Sequence, residues 1–361
     1  MVELDRVFNV SPHACDPAFQ SPEHLQLCLY LRTTSSPIPS ILRLDGEKSY
    51  LDPSTSQVSP LPSIKDPPTK DLTVVIPAYN EESRLPIMLE ECLEYLESRK
   101  KSGLDYEVLI VDDGSRDGTT RVGLQYSKKY TPEYVRVLTL QKNRGKGGAV
   151  RLGMLSGRGR LLLLADADGA TEFKEYSKLE KSVAKVFGLY KFYKAAVRRR
   201  LIESPNVVVH LDEEIHVVQA MIFMNPKVIA IGSRAHLEKE SIAQRSPFRN
   251  LLMYGFHAMV WIFGVRGIKD TQCGFKLFAR EAASRLFSAL HVERWAFDVE
   301  LLYMAKELGY QVEEVAVRWT EIEGSKLVPI YSWLEMAKDL ILLRLRYVIG
   351  AWKILDKEKH H

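Results

Sequence analysis

The feature that most constrains this chain is an alternation. Six short β-rich runs, DLTVVIPAY, DYEVLIVDDGS, YVRVLTLQKN, GRLLLLADADG, NPKVIAIGSR and YQVEEVAVRW, follow one another, and helical periodicity fills several of the gaps, over 84–101, 118–130 and 148–156. Strands interleaved with helices predict an α/β fold with a mainly parallel sheet covered by helices on both faces. Ligands of such sheets bind beyond the carboxyl ends of the strands. The polar motifs of this chain fall at those ends.

The 361 residues suffice for one large α/β domain or two smaller ones with an ample core. A net charge of +4, from 50 basic and 46 acidic residues, is too balanced to argue for a nucleic-acid partner. Cys15, Cys28, Cys92 and Cys273 are scattered without a CxxC pair, so neither a zinc site nor a disulfide framework is expected. Ten of the 17 prolines precede residue 69, mixed with Ser and Thr. That composition predicts a poorly ordered segment over 1–69. The α/β domain then runs over 70–328, with an inserted surface excursion near 174–225, and 329–361 reads as an amphipathic helix and tail.

No apolar run reaches the roughly 18–20 residues that span a bilayer. The nearest, LLMYGFHAMVWIFGV over 251–265, has 15 residues and is either fully buried or lies in a membrane interface. The helix after residue 328 mixes Trp333, Tyr347 and Trp352 with Lys338, Arg344, Arg346 and Lys353, which suits core packing or a headgroup layer. The first fifteen residues lack the layout of a signal peptide.

Three strand ends carry chemistry. The run LLLLADADG delivers Asp166 and Asp168 together, and strand alternation sends both side chains to one face while Gly169 lets the chain turn. Two such carboxylates suit a hard divalent cation that completes its shell with substrate phosphates, although an Asx turn uses the same residues. In VVIPAYNEE, Pro77, Tyr79 and Glu81 form a loop able to stack on and hydrogen-bond a base. In VDDGSRDGT, Asp112 and Asp113 can accept hydrogen bonds from a ribose or from a uracil imide. The glycines around Lys146 in GKGG let a helix start lie close to a donor. This is no P-loop, since Leu140 and Gly147 stand where that motif needs Gly and Ser or Thr. No GxGxxG follows the first strand, which disfavours a dinucleotide-binding enzyme.

In this order the motifs resemble family 2 glycosyltransferases over about residues 70 to 352. The likeness sharpens with NRGKGGAVRLGM, ADADGAT, GSRAHLEKESIAQRS, DTQCGFKLF, RWAFDVELL and WTEIEGSKL, which look like the dolichyl-phosphate β-glucosyltransferase branch. The resemblance implies the GT-A fold and transfer of glucose, with inversion, from UDP-glucose to dolichyl phosphate. It also implies Mg²⁺ or Mn²⁺ on Asp166 and Asp168, and work at the cytosolic face of the endoplasmic reticulum membrane. It places Arg234 and Arg249 at the lipid phosphate, lets Lys276 reach a phosphate, and lets Asp298 or Glu300 orient the acceptor. Asp168, Arg234 and Asp298 are thereby the expected catalytic set. An ionised phosphate acceptor needs no general base.

Two departures from that pattern stand out. Where these transferases usually begin with a membrane-spanning helix, this chain has its Pro/Ser-rich segment, and the interval between DAD and GSR is some thirty residues longer than expected. Transfer of mannose instead of glucose, or a lipid-binding homologue without activity, are the alternatives. A processive synthase is disfavoured, because its QxxRW motif is His291-Val292-Glu293-Arg294-Trp295 here.

Overall fold

A computed structural model describes residues 22–186, 227–237, 255, 259–260, 265, 267–322 and 329–354. After helix α1 (Pro22–Thr33) and a two-stranded ribbon, β1 (Ser49–Leu51) and β2 (Val58–Pro60), the chain enters its main sheet at β3 (Lys70–Ala78). There follow α2 (Leu85–Lys100), β4 (Tyr106–Asp112), α3 (Thr119–Tyr134), β5 (Val135–Thr139), α4 (Lys146–Met154) and β6 (Gly159–Ala165). The second half comprises α5 (Tyr176–Val186), β7 (Val228–Ser233), β8 (Phe275–Ala279), α6 (Arg280–Ala289), α7 (Phe297–Glu307), β9 (Gln311–Ala316) and α8 (Pro329–Val348).

All six strands read from the sequence are present, and β8 joins them. The seven-stranded sheet has the order β5-β4-β3-β6-β8-β7-β9, parallel throughout except for β8, which runs antiparallel to β6 and β7. The chain builds outward from β3 through β4 to β5, then returns to place β6 on the other side of β3. The order in which strands are added therefore reverses between the parallel neighbours β3 and β6, and ligands of open α/β sheets bind at such a point.

Burial on both faces explains why the central strands are apolar without alternation. Helix α4 lies against Val75 and Val111 on one face, and α3 against Ile110 and Val137 on the other. Leu161, Leu162, Leu163 and Leu164 of β6 are all buried, each contributing about 1.5–3 kcal/mol of transfer free energy. Helix α3 breaks at Thr131, which takes φ 64° just before Pro132, close to where its periodicity ends in the sequence.

Three expectations about organisation change. The segment before residue 70 is not uniformly loose: Glu47, Leu31 and Ile64 are buried. The Ile64 N–H donates to the Leu155 carbonyl, and Arg43 donates to Leu152 and Ser156. Polar composition concealed this because the segment is held by directed hydrogen bonds more than by apolar area. The expected insertion begins later than residue 174, since α5 buries Leu179 and Val183 against the sheet. The rest of that stretch, 187–226, lies outside the described residues. Helix α8 buries Met336, Leu340, Leu343 and Tyr347, yet leaves Leu334 and Ile341 exposed. It is a core element on one side only. The 251–265 segment, apart from four positions, and Arg249 also lie outside the described residues. No described helix is long and apolar enough to cross a membrane.

Candidate active site

The carboxyl ends of β3, β6 and β7, the loop after β4 and the amino end of the antiparallel β8 meet around a cleft of about 540 Å³. That is the size of a small-molecule site. Pro77, Tyr79 and Glu81 line it from β3, Asp113 from the loop after β4, and Lys146 from the start of α4. Asp166 and Asp168 enter from β6, Arg234 from β7, and Asp298 from the first turn of α7.

The two acids of ADADG share this cleft as expected. Asp168 Oδ1 accepts the Ala170 N–H at 3.0 Å, which closes the turn, and Gly169 takes φ 70°. Asp166 lies beside Gly274, where an added methyl group would come within 1.8 Å of its Oδ2. Only glycine at that position leaves the carboxylate room. Lys146 Nζ stands 2.7 Å from Asp166 Oδ1 and 2.9 Å from Oδ2. Burial pulls the Lys146 pKa down, but the charges of Asp166, Asp298 and Asp168 outweigh it and the net shift is upward. Buried Oδ1 meets the ammonium in an ion pair and has no other partner. Two carboxylates that open on one cleft are hard oxygen donors and fit a divalent cation that takes its remaining ligands from phosphate and water. No cluster of three or more His, Cys, Asp or Glu side chains forms a closed metal cage among the described residues.

Asp113 is nearly buried and its carboxylate accepts the backbone N–H of Arg144 at 2.7 Å and of Gly145 at 2.9 Å. Burial raises its pKa to about 7 against the lowering effect of those two bonds, with the neighbouring Asp112 adding to the rise. Asp112 itself turns away from the cleft. Its carboxylate accepts from the Ser115 N–H and the Thr120 hydroxyl, so it shapes the turn and is not placed to meet a ligand. Glu81 holds Arg84 through two contacts of 2.5 and 2.6 Å, and Arg84 also lines the cleft, its pKa raised by Glu81 and by the charges of Asp168 and Asp166.

The opposite wall is built differently. Arg234 donates Nε and Nη2 to Asp270 at 2.7 and 2.8 Å, and its guanidinium stands 5.3 Å from the Trp319 ring centre. Trp319 arrives because the chain beyond β9 folds back: Thr171 bridges to Trp319, and the Thr320 N–H donates to the Ala170 carbonyl at 2.8 Å. Trp295, Ile322 and Met336 also line the cleft, and Arg294 packs against Gly145 beside Lys146. The wall with Asp166 and Asp168 thus also carries Lys146 and Arg84, and the wall with Arg234 carries Trp319.

Two further sequence expectations, beyond Asp112, need correction. Lys276, expected at a phosphate, is fully buried, and its ammonium donates to Asp298 Oδ1 at 2.7 Å and to the Cys273 carbonyl at 2.6 Å. It holds Asp298 from behind. Burial raises the Asp298 pKa, although Lys276 and Lys146 both pull it down. Glu300 is also fully buried and away from the cleft, where it receives the N–H groups of His291 and Val292 and the Tyr347 hydroxyl. Their positions on adjacent core elements, invisible in one-dimensional spacing, decide both cases. Sequence reasoning gave no role to Gly274, Asp270, Arg84, Arg294, Trp295 or Trp319. Most of them sit inside quoted motifs, but nothing local says which partners they meet.

Comparison with known proteins agrees with this geometry. The model of glycosyl transferase family 2 matches residues 73–190. The chain is similar to a dolichyl-phosphate beta-glucosyltransferase from Homo sapiens, with 53% identity over 91% of both chains. It is similar to the Drosophila melanogaster protein of the same name, with 49% identity over 92% of this chain and 97% of the relative. The Saccharomyces cerevisiae protein of that name is 38% identical over 91% of both chains.

Proposed function

Because the chain belongs to the dolichyl-phosphate β-glucosyltransferase family, with a family 2 glycosyltransferase domain in the GT-A fold, we propose that it transfers glucose, with inversion, from UDP-glucose to dolichyl phosphate. The products are dolichyl β-D-glucosyl phosphate and UDP. The observation that carries the reading is a single cleft lined both by the Asp166 and Asp168 carboxylates and by Arg234, whose guanidinium lies over the Trp319 ring. All three relatives named above are glucosyltransferases, which favours glucose over mannose.

The chemistry must bring together two anions. Two unit charges 4 Å apart repel by about 4 kcal/mol at an effective dielectric of 20, so countercharge has to be supplied. Asp166 and Asp168 would hold Mg²⁺ or Mn²⁺ on the donor diphosphate, and bound there the cation offsets charge as UDP departs. Lys146 and Arg84 bring further positive charge to the same wall. Pro77, Tyr79 and Asp113 would receive the nucleoside, with the ionised Asp113 accepting the uracil imide N–H. Arg234, fixed by Asp270, would receive the acceptor phosphate while Trp295, Trp319, Ile322 and Met336 cover the first isoprenoid carbons. Arg249 is proposed for the same phosphate. Asp298, held by Lys276, keeps the Lys146 ammonium charged at the cleft floor. No group here has to remove a proton, because the acceptor phosphate is already ionised near neutral pH.

Dolichol does not leave the bilayer, so we place the protein at a membrane surface, on the cytosolic face of the endoplasmic reticulum. Leu334 and Ile341, exposed on the face of α8 opposite the buried Met336, supply part of the contact. Replacing both with Asp should reduce co-sedimentation with vesicles; unchanged sedimentation would remove α8 from this role. The main test is a transfer assay with dolichyl phosphate and labelled sugar nucleotides. UDP-glucose should give a labelled lipid and GDP-mannose should not. Efficient use of GDP-mannose, or no turnover with either donor, would overturn the assignment.

A further inference from the structure

We propose that Glu47 is a positioning residue for donor binding, and that the segment around it forms the outer support of the nucleotide loop. The inference rests on the reading of the cleft as a UDP-sugar site. Glu47 lies upstream of the family 2 match and does not line the cleft, yet it has no exposed surface.

Its carboxylate is engaged on both oxygens. Oε1 accepts the Gln141 N–H at 3.0 Å; Oε2 accepts the Leu44 N–H at 3.0 Å and Arg144 Nη2 at 2.5 Å. Arg144 Nη1 donates to the Leu42 carbonyl at 2.7 Å, so one upstream turn grips the guanidinium twice. On its other side, Arg144 presents its backbone N–H to Asp113, as Gly145 does. A continuous series of charge-assisted bonds thus runs from Glu47 through Arg144 to the carboxylate proposed to read the base. Residues 141–145 have no regular secondary structure, and this stretch carries Asn143 and Gly145 into the cleft. A loop without its own ladder needs outside contacts to hold one geometry.

A purely structural staple is also present in the same segment, which makes the distinction testable. Arg280 donates to the Ser63 and Asp66 carbonyls at 3.1 and 2.8 Å and to the Gly157 and Gly159 carbonyls at 2.8 and 2.9 Å, away from the cleft and from Glu47. If the segment only anchored itself, losing Glu47 or losing Arg280 would have the same consequence. If it sets the loop, only Glu47 and Arg144 should affect the donor.

The experiment uses the full chain and measures UDP affinity by calorimetry with Mn²⁺ present, the KM for each substrate, kcat, and the thermal midpoint. Glu47→Gln and Arg144→Gln should each weaken UDP binding and raise the UDP-glucose KM about tenfold, the scale of one charge-assisted bond. kcat should stay within about twofold and the dolichyl phosphate KM should not move. The double variant should be little worse than either single one, since both break one interaction. Arg280→Ala should lower the thermal midpoint and leave both KM values unchanged. Should Glu47→Gln fail to fold, Arg144→Gln, altered at a partly exposed side chain, carries the same expectation. Wild-type UDP affinity in folded Glu47→Gln and Arg144→Gln would overturn the proposal. A wild-type protein that binds no UDP would instead remove the reading of the cleft on which it rests.

Discussion

The two ends of the main sheet are both charged, but in opposite ways. At the amino ends of the strands, Glu107 is fully buried and accepts four bonds, from the Thr73 hydroxyl, Arg136 Nη2, and the backbone and Nε of Arg158, at 2.5 to 2.7 Å. Burial alone would raise its pKa, yet Arg136, Arg158 and the hydrogen bonds outweigh it and hold the carboxyl below its usual range. At the carboxyl ends, Asp166 and Asp168 border an open cleft. A carboxylate saturated by protein donors fixes strands, whereas one that opens on a cleft is available to a ligand. The same residue type is therefore closed into the core at one end of the sheet and open at the other.

The largest expected effects strike the open end. Gly274→Ala would force its methyl group into the Asp166 carboxylate, and turnover should fall about a thousandfold, the upper range for losing one preorganised charge contact. Asp168→Asn should cost about a hundredfold in turnover. In both variants the thermal midpoint should stay near wild type. A Gly274→Ala enzyme with normal kcat would show that Asp166 has no fixed post.

At the saturated end the order reverses. Glu107→Ala leaves the buried Arg136 guanidinium without its carboxylate, while the partly exposed Arg158 keeps Glu133, and should lower folding stability by about 3–5 kcal/mol. The KM values should remain unchanged at temperatures where the variant is folded. The depressed Glu107 pKa means that its contribution is present above the unfolded carboxyl pKa and is lost as pH falls through the folded value. Denaturation in acid should therefore begin at higher pH when Arg136 is replaced by Met. A KM change in Glu107→Ala would blur the division between the two ends.

Smaller effects separate the walls of the cleft. Arg234→Ala should raise the dolichyl phosphate KM about tenfold while leaving UDP affinity alone, the scale of one charge-assisted contact. A loss of UDP affinity in this variant would put Arg234 on the donor side. Smallest is a pH effect. With a pKa raised to about 7, Asp113 is increasingly ionised between pH 6 and 8. UDP affinity should rise a few-fold, on the order of its ionised fraction, over that interval, and the rise should vanish in Asp113→Asn. The same raised pKa implies the opposite sign for stability: the Asp113 contribution is full below the unfolded pKa and is lost as pH rises through about 7.

How much of this was legible in the sequence follows from locality. The strands were legible because continuous apolar runs flanked by turn residues mark doubly covered strands, and the acids at their ends came with them. Strand β8 was missed because the five residues Phe275–Ala279 sit inside a run that reads as a polar motif, and antiparallel insertion leaves no periodic signature. Asp166, Asp168, Asp113 and Arg234 all line the cleft. Asp112 and Lys276 do not, and alternation along one strand cannot tell cleft from interior once both faces are covered. Glu47 was hidden for another reason: a Pro/Ser-rich composition says nothing about a single carboxylate that docks a loop almost a hundred residues away.

The central claim is that the acid pair at the carboxyl end of β6 holds the donor diphosphate through a divalent cation. Calorimetric titration of UDP, with Mn²⁺ or Mg²⁺ and then in excess chelator, tests it most directly when run on wild type, Asp168→Asn and Arg234→Ala. Wild type and Arg234→Ala should bind UDP at least about tenfold more tightly with metal than without, and Asp168→Asn should lose that difference. Equal UDP affinity with metal and with chelator in the wild-type protein would contradict the account.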